Sequence, residues 1–143
     1  MKRFPSLLLP LLIPLMAPTH AQKPHSPAPS SAEYKALLAT ATEAARSELK
    51  HTVTLDAEVL NVAPPWAFLS ARILGADGAA YAFEGTRWEA AAAAGGMSNQ
   101  YVGLLRETNG RWAIVQQSLG PTDVVWESWA ETYGAPTALF AID

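Results

Sequence analysis

The beginning of the folded region carries a helical pattern of apolar positions. Between residues 34 and 49 the apolar side chains recur every three or four positions, and most charged side chains lie off that stripe. The stripe consists of Tyr34, Leu38, Ala41, Ala45 and Leu49. This spacing predicts one amphipathic helix over about 31–50. Ser30 is the expected N-cap, and Glu33 is expected to reach back to complete a capping box.

After His51 the pattern becomes extended. Residues 53–74 are rich in β-branched and aromatic side chains, which favour strands. Pro64-Pro65 interrupts this run, so the chain is expected to resume a second extended segment after it. Residues 75–78 have the composition of a turn, and residues 79–83 are predicted to form a short return strand.

The clearest turn signal belongs to a hairpin in the second half of the chain. Residues 101–106 and 112–119 favour strands, and Asn109-Gly110 between them is the dipeptide most typical of a tight β-turn. Strands joined by short turns indicate an antiparallel sheet. We therefore predict an α+β fold, in which a long N-terminal helix packs on a curved antiparallel sheet of four or five strands.

Two short helices are expected beside that hairpin. Thr86 and Glu89 have capping-box spacing and precede an alanine run that stops at Gly95, which predicts an inserted helix or, alternatively, an alanine-rich loop. Thr122 or Asp123 is the expected cap of a short C-terminal helix. That helix would turn four side chains inward: Val125, Trp126, Trp129 and Tyr133. The tail after it is expected to pack through its phenylalanine.

The N-terminus has the three parts of a secretory signal peptide. Met1-Lys2-Arg3 is basic, residues 4–17 are apolar, and Thr19-His20-Ala21 places small residues before a cleavage site at Gln22. An uncleaved membrane anchor is the alternative, but a spanning helix needs about 20 apolar residues and prolines interrupt this run. We predict a signal peptide over 1–21, a periplasmic or secreted location, and no stable membrane span after cleavage.

The remainder divides into a linker and one domain. Residues 22–30 are rich in proline and serine, which is typical of a flexible linker, and His25 within it is expected to be solvated. Residues 31–143 are long enough for a single α+β domain and too short for two.

Composition and charge exclude several function classes. The formal net charge of the 143 residues is −3, and cleavage after residue 21 would make it −5, because ten basic residues fall to eight against 13 acidic ones. An acidic chain of this kind disfavours nucleic acid as a partner. The absence of cysteine excludes disulfides, thiolate catalysis and cysteine-ligated zinc. No glycine-rich phosphate loop is present, and no cofactor or metal is predicted.

Few residues suggest catalysis. His51 is the one histidine of the predicted domain, and its place at a helix end favours a contact with the helix dipole over a role as general base. Asp56 and Glu58 would share one face of a strand, where we interpret them as solvated edge residues. No catalytic residue is therefore assigned.

The five tryptophans are the unusual feature of the composition. Trp112 alternates with Ile114 on a predicted strand, and Trp126 and Trp129 face inward on the predicted C-terminal helix, so these three are assigned to the core. Trp66 follows two prolines, and Trp88 adjoins Arg87 at the start of the inserted helix. These two tryptophans and Arg87 are the predicted ligand- or partner-binding residues, with an unknown protein or a small apolar or sugar ligand as the partner.

The C-terminal half carries a longer pattern, NGxW followed by GPTDVxWxxWxxxYGAP, over residues 109–136. In this pattern, and more loosely from Trp66 onward, the chain resembles an uncharacterised family of small secreted bacterial proteins. The resemblance covers about half the chain. It implies a periplasmic α+β domain and assigns no activity, cofactor or site residue. The predicted architecture resembles the cystatin-like and nuclear-transport-factor-like folds, which host many functions.

These observations favour a periplasmic or secreted, non-enzymatic binding or interaction module. Two alternatives stay open. One is a small enzyme with an Asp or Glu acid/base in a pocket under the long helix, with His51 as a possible assistant. The other is an inhibitor or immunity-type protein whose acidic surface blocks a basic enzyme.

Overall fold

The computed structural model describes residues 23–142, and these residues form an α+β fold with four antiparallel strands. The elements are α1 (Ala32–Leu49), β1 (Val53–Ala63), β2 (Trp66–Gly75), α2 (Glu89–Ala93), β3 (Gln100–Thr108), β4 (Arg111–Leu119), α3 (Trp129–Tyr133) and a 3-10 turn (Thr137–Phe140). The predicted fold class is confirmed. The predicted signal peptide lies outside the described residues, and no helix within 23–142 is long and apolar enough to cross a membrane.

The long helix begins one residue later than the capping pattern predicts. Ser31, not Ser30, is the N-cap, and its hydroxyl accepts a hydrogen bond from the amide of Tyr34 at 3.2 Å. The amide of Ser31 donates to the carbonyl of Ala28 at 2.8 Å, and this turn fixes which of the two serines can cap the helix.

The sheet is a meander that bends around α1. Its strand order is β1-β2-β3-β4, and α1 contacts both edge strands. The register shifts between Ala57 and Val59 in β1, and between Leu104 and Leu105 where β3 faces β4. Bulges of this kind bend and twist strands, which explains how a four-stranded sheet can wrap one helix. The helix buries four side chains in that concavity: Leu37, Ala41, Ala45 and Leu49.

Two hairpins follow from the turn residues. Pro64 and Pro65, joined by a cis peptide bond, form a two-residue turn between β1 and β2. Asn109 and Gly110 have φ angles of 52° and 75°, so both occupy the left-handed region that the predicted tight turn requires. The β3–β4 hairpin is confirmed.

The return strand predicted over 79–83 is wrong. The segment makes one isolated bridge, between Ala80 and Leu74, and then leaves the sheet. The reason is that β3 already pairs with β2 from Trp66 to Arg72, so only the last residues of β2 are free for another strand.

The inserted helix is present, and the C-terminal helix is shorter than predicted. Asp123 does not start a helix: its carboxylate accepts from the amide of Val124, a local bond that competes with helix formation. Consecutive turns follow, and α3 begins only at Trp129. Val125, expected to face inward, is 39% exposed, which corrects that prediction.

The C-terminal segment covers the sheet face opposite α1. Phe68 is fully buried at its centre, with the ring centroids of Trp126 and Phe140 at 5.9 and 5.0 Å. Trp129 is buried in the same cluster, while Trp126 is partly buried there. Trp112 is partly buried against the cluster on the α1 side. β2 and β3 are therefore covered on both faces, which explains their nearly continuous apolar sequences.

The described part of the predicted linker lies against the domain. The backbone of His25 exchanges two 2.8 Å hydrogen bonds with Val62 at the edge of β1. The His25 ring also lies 3.0 Å from the Glu33 carboxylate and stays half exposed. Pro24 and Pro27 lie on either side of His25 and have no amide hydrogen to donate. The segment around His25 therefore pairs with β1 through a single bridge and does not form a further strand.

Candidate functional site

A cleft with a volume of about 250 Å³ lies where the end of α1 meets the loop before α2. We call it the helix-end cleft and define it by its lining residues: Glu48, Leu49, Lys50, His51, Gly85, Thr86, Arg87 and Trp88. Two of the three binding residues predicted from sequence, Arg87 and Trp88, belong to this lining.

A backbone turn presents one wall of the cleft. Lys50 caps α1 with a φ of 56°, and its amide donates to the carbonyl of Arg46 at 2.7 Å. The Arg46 side chain in turn donates from Nε to the carbonyl of Val53 at 2.8 Å, which ties the helix to the first residue of β1. The turn between these elements therefore holds Lys50 and His51 at the rim of the cleft.

A long-range hydrogen bond positions His51. Its Nδ1 lies 2.6 Å from the hydroxyl of Tyr81, thirty residues away in the chain. The two rings meet edge to face with centroids 6.1 Å apart. Partial burial raises the pKa of the Tyr81 phenol above its ordinary value of 10.0, so the hydroxyl keeps its proton and can donate. Gly85 lies against the ring, because a Cβ built on it would meet Cε1 of His51 at 3.6 Å.

An aromatic row supports the loop that forms the opposite wall. Phe83 is 2% exposed and packs edge-on against Tyr81 and Trp88, with centroids at 5.0 and 6.3 Å. Its φ of 61° is unusual for a bulky residue and needs strong local support. Thr86 provides part of that support, since its hydroxyl donates to the Phe83 carbonyl at 2.6 Å and its Oγ1 accepts from the Trp88 amide at 3.2 Å.

Arg87 joins the two walls. Its guanidinium carbon lies 4.3 Å from the centroid of the Trp88 ring. The same guanidinium donates from Nη2 to the carboxylate of Glu48 on α1. Both side chains are well exposed, so this ion pair contributes little to stability, on the order of 0–1 kcal/mol. Its consequence is geometric, because it orders the cationic group over the tryptophan ring.

Trp66 lies elsewhere. It is 7% exposed and belongs to the buried cluster beneath the C-terminal segment, on the sheet face opposite α1. The guanidinium of its cross-strand neighbour Arg106 lies 4.9 Å from the ring centroid. The two prolines before Trp66 form a two-residue turn, and Trp66 is the first residue of β2, where the extended segment resumes as predicted. The structure thus brings Arg87 and Trp88 together and leaves Trp66 apart.

The paired acids of β1 are engaged with a cation. Arg72 donates from Nη2 to Asp56 at 2.5 Å, and its Nε lies 3.4 Å from Glu58. All three side chains are about half exposed on the edge strand and its neighbour. This arrangement fits the interpretation of Asp56 and Glu58 as edge residues, since a guanidinium holds both carboxylates.

Sequence reasoning missed the contribution of Tyr81, Phe83 and Gly85 to the cleft. Their roles depend on contacts with His51 and Trp88 that local patterns do not encode. The one available signal was the spacing of Thr86 and Glu89, because the Glu89 carboxylate accepts from the Gly85 amide at 3.0 Å and so shapes this loop.

Catalytic and metal-binding groups are scarce in residues 23–142. Every Asp and Glu there is partly or fully exposed, and Ser70 is the one buried polar residue. Within the same residues, no group of three His, Asp or Glu side chains could hold a metal ion.

Comparison with known proteins finds no match among family models, curated proteins or solved structures.

Proposed function

We propose that this protein is a non-enzymatic binding module, periplasmic or secreted, that holds a small ligand in the helix-end cleft. The observation that carries the proposal is the convergence of His51, Arg87 and Trp88 on one concave surface. Concave sites that combine an aromatic wall with a few convergent polar groups are the usual form of small-ligand sites. The proposed location depends on the signal-like segment 1–21 and on the resemblance of residues 109–136 to a family of small secreted bacterial proteins.

The cleft supports binding better than catalysis. Its one carboxylate, Glu48, is paired with Arg87, and its one imidazole is hydrogen-bonded to a phenol that holds its proton. The alternative enzyme requires an acid or base under α1, where the described residues contribute apolar side chains and the Tyr101–Gln117 hydrogen bond. That buried phenol keeps its proton, because burial raises its pKa.

A fragment screen followed by NMR tests the binding site. The indole N–H signal of Trp88 reports on the cleft, and that of Trp112 on β4 is the internal control. We expect bound fragments to shift the Trp88 signal preferentially. Arg87→Gln should abolish that response, whereas Arg111→Gln, which removes an exposed arginine at the hairpin turn, should retain it. Trp88→Ala removes the indole reporter, so binding to that variant is read from the His51 ring signals, which should shift with fragments in the unaltered protein and not in the variant. Circular dichroism establishes that each variant is folded.

Two results would refute the proposed site. Fragment hits that centre on Trp112 or on other surfaces, with Trp88 unaffected, would place binding elsewhere. Equal loss of response in Arg87→Gln and Arg111→Gln would show that the cleft arginine has no specific role.

The proposed location has a separate test. The full chain is expressed in a bacterium, and the N-terminus of the product is sequenced after cell fractionation. We expect a periplasmic product that begins at Gln22. A full-length product confined to the cytoplasm would overturn this part of the proposal.

A further inference from the structure

We propose that the ligand of the helix-end cleft is a neutral, polyhydroxylated ring of the pyranose type. This inference rests on the proposed function and specifies the ligand class for the same site. It follows from the kinds of hydrogen-bonding groups in the lining, from their charge balance and from the shape of the apolar wall.

The lining places strong donors beside a strong acceptor. Arg87 has five N–H donors, of which the described contacts use one on Glu48. Lys50 contributes an exposed ammonium, and the Nε2 of His51 has no partner among residues 23–142. A hydroxyl group can donate to Glu48 and accept from Arg87 at the same oxygen. A ligand carboxylate could only accept from this pair, and a ligand ammonium could only donate to it.

The charges of the cleft nearly cancel. Lys50 and Arg87 bring two positive charges, and Glu48 brings one negative charge. The C-terminal end of α1 adds roughly half a negative charge from its free carbonyl groups. Glu84 and Glu89 line a neighbouring cleft, but the Glu89 carboxylate also accepts from the amide of Gly85 in this lining, and counting it changes the sum from about half a positive to about half a negative charge. A site this close to neutrality has little electrostatic preference for an anion or a cation, so a neutral ligand fits it best.

The apolar surface of the lining is small enough for one ring. Trp88 is partly exposed, with the Arg87 guanidinium over one part of its ring, and Leu49 in the lining is only 4% exposed. The C–H face of a pyranose is flat and apolar, and its edge is polar, so it can pack on the part of Trp88 that the guanidinium leaves uncovered while its hydroxyls meet the charged groups. The volume of about 250 Å³ lies just below the range of about 300–1,000 Å³ typical of ligand pockets, and therefore suits a single ring.

Two side-chain contacts hold the walls of the cleft in place. The Glu48–Arg87 ion pair joins α1 to the loop, and the His51–Tyr81 hydrogen bond joins the end of α1 to the aromatic row. Because these side chains are already ordered, less conformational entropy is lost when a ligand binds them. Small ligands of about thirteen non-hydrogen atoms commonly reach a Kd on the order of 1 mM, which is the affinity we expect.

The test is an NMR titration with pyranoses of matched size. The neutral probes are the methyl pyranosides of glucose, galactose and mannose. The charged probes are methyl glucuronide and glucosamine, and cyclohexylmethanol is the apolar ring. We expect at least one neutral pyranoside to shift the Trp88 and His51 signals saturably with a Kd of about 1 mM, at least about tenfold tighter than the charged and apolar probes.

Variants of the ion pair separate a polyol from an anion. Glu48→Gln keeps an acceptor oxygen but loses the ion pair that orders Arg87, so it should weaken the preferred pyranoside by about threefold, less than Glu48→Ala, whereas an anion would bind more tightly once the competing carboxylate is gone. Glu48→Ala should weaken the pyranoside about tenfold, with Arg111→Gln unchanged as the control.

Each adverse outcome has a distinct meaning. A preference for the glucuronide, the amine or the apolar ring would overturn the pyranose inference and leave the proposed binding site intact. The absence of a response to every pyranoside would also overturn it, and the fragment screen would then decide separately whether the cleft binds ligands at all.

Discussion

Replacement of Phe68 by alanine tests whether the C-terminal segment is held by the second core. The ring is fully buried in the middle of β2 and contacts Trp126 and Phe140 from the covering segment. A buried Phe→Ala change costs about 3–5 kcal/mol through lost transfer energy and the cavity that remains. A domain of the 120 described residues has a free energy of unfolding of roughly 6–18 kcal/mol, so the variant should fold but be markedly less stable.

Urea unfolding and hydrogen exchange measure this loss. With an m-value of about 1.5 kcal/mol per M, the midpoint should fall by about 2–3 M. Leu69→Ala is the matched control, because Leu69 is equally buried one residue further along β2 and faces α1. Phe68→Ala should accelerate exchange in Trp129–Tyr133 more than in α1, and Leu69→Ala should do the reverse. The reasoning fails if Phe68→Ala costs under about 1 kcal/mol, or if both variants give the same exchange pattern.

Three further changes test other parts of the fold. Asn61→Ala should cost about 1–3 kcal/mol in urea unfolding, because the Asn61 amide donates to the carbonyls of Leu139 and Ala141 at 3.0 and 2.8 Å, and an unchanged midpoint would contradict this. Burial raises the pKa of the Tyr101 phenol, so the folded state keeps a proton that the unfolded chain loses above about pH 10, and stability should fall by up to about 1.4 kcal/mol per pH unit there. Tyr101→Phe should flatten this alkaline decline in urea midpoints, and parallel profiles would refute the assignment. Gly110→Ala should cost about 1–2 kcal/mol, because a side chain is disfavoured at the φ of 75°. Steric clash adds nothing, since no atom lies within 4 Å of the added methyl, and a urea midpoint equal to that of the unaltered protein would contradict the tight turn.

The parts of the fold that were predictable are those that local sequence determines. The helical periodicity over α1 and the Asn109-Gly110 turn each fix a conformation within a few residues, and both elements were predicted correctly, although the helix buries Leu37 fully and leaves Tyr34 and Leu38 only partly buried. The two wrong predictions have different causes, and the larger one depends on a distant part of the chain. Residues 79–83 have strand-like composition, but β3 already occupies the position beside β2 that they would need. The exposure of Val125, by contrast, has a local cause: a side-chain bond at Asp123 replaces the first turn of the predicted helix.

The candidate site was predictable only in part, for a physical reason. Adjacent residues such as Arg87 and Trp88 can be recognised from the sequence as a cationic and an aromatic group close together. The partners that complete the cleft come from the end of α1 and from Tyr81, and only the fold brings them within hydrogen-bonding distance.

The strained backbone at Phe83 links the stability of the domain to the cleft. A left-handed backbone conformation is unfavourable for an aromatic residue such as Phe83. The burial of its ring and the hydrogen bonds of Thr86 must therefore offset that cost. The same burial places the Phe83 ring between Tyr81 and Trp88, and thereby sets the separation of the two walls of the cleft. An ordinary β-strand over 79–83 would satisfy the local preferences of these residues better. It would also remove the loop that carries Arg87 and Trp88 to the end of α1, so the departure from the expected strand is what creates the candidate site.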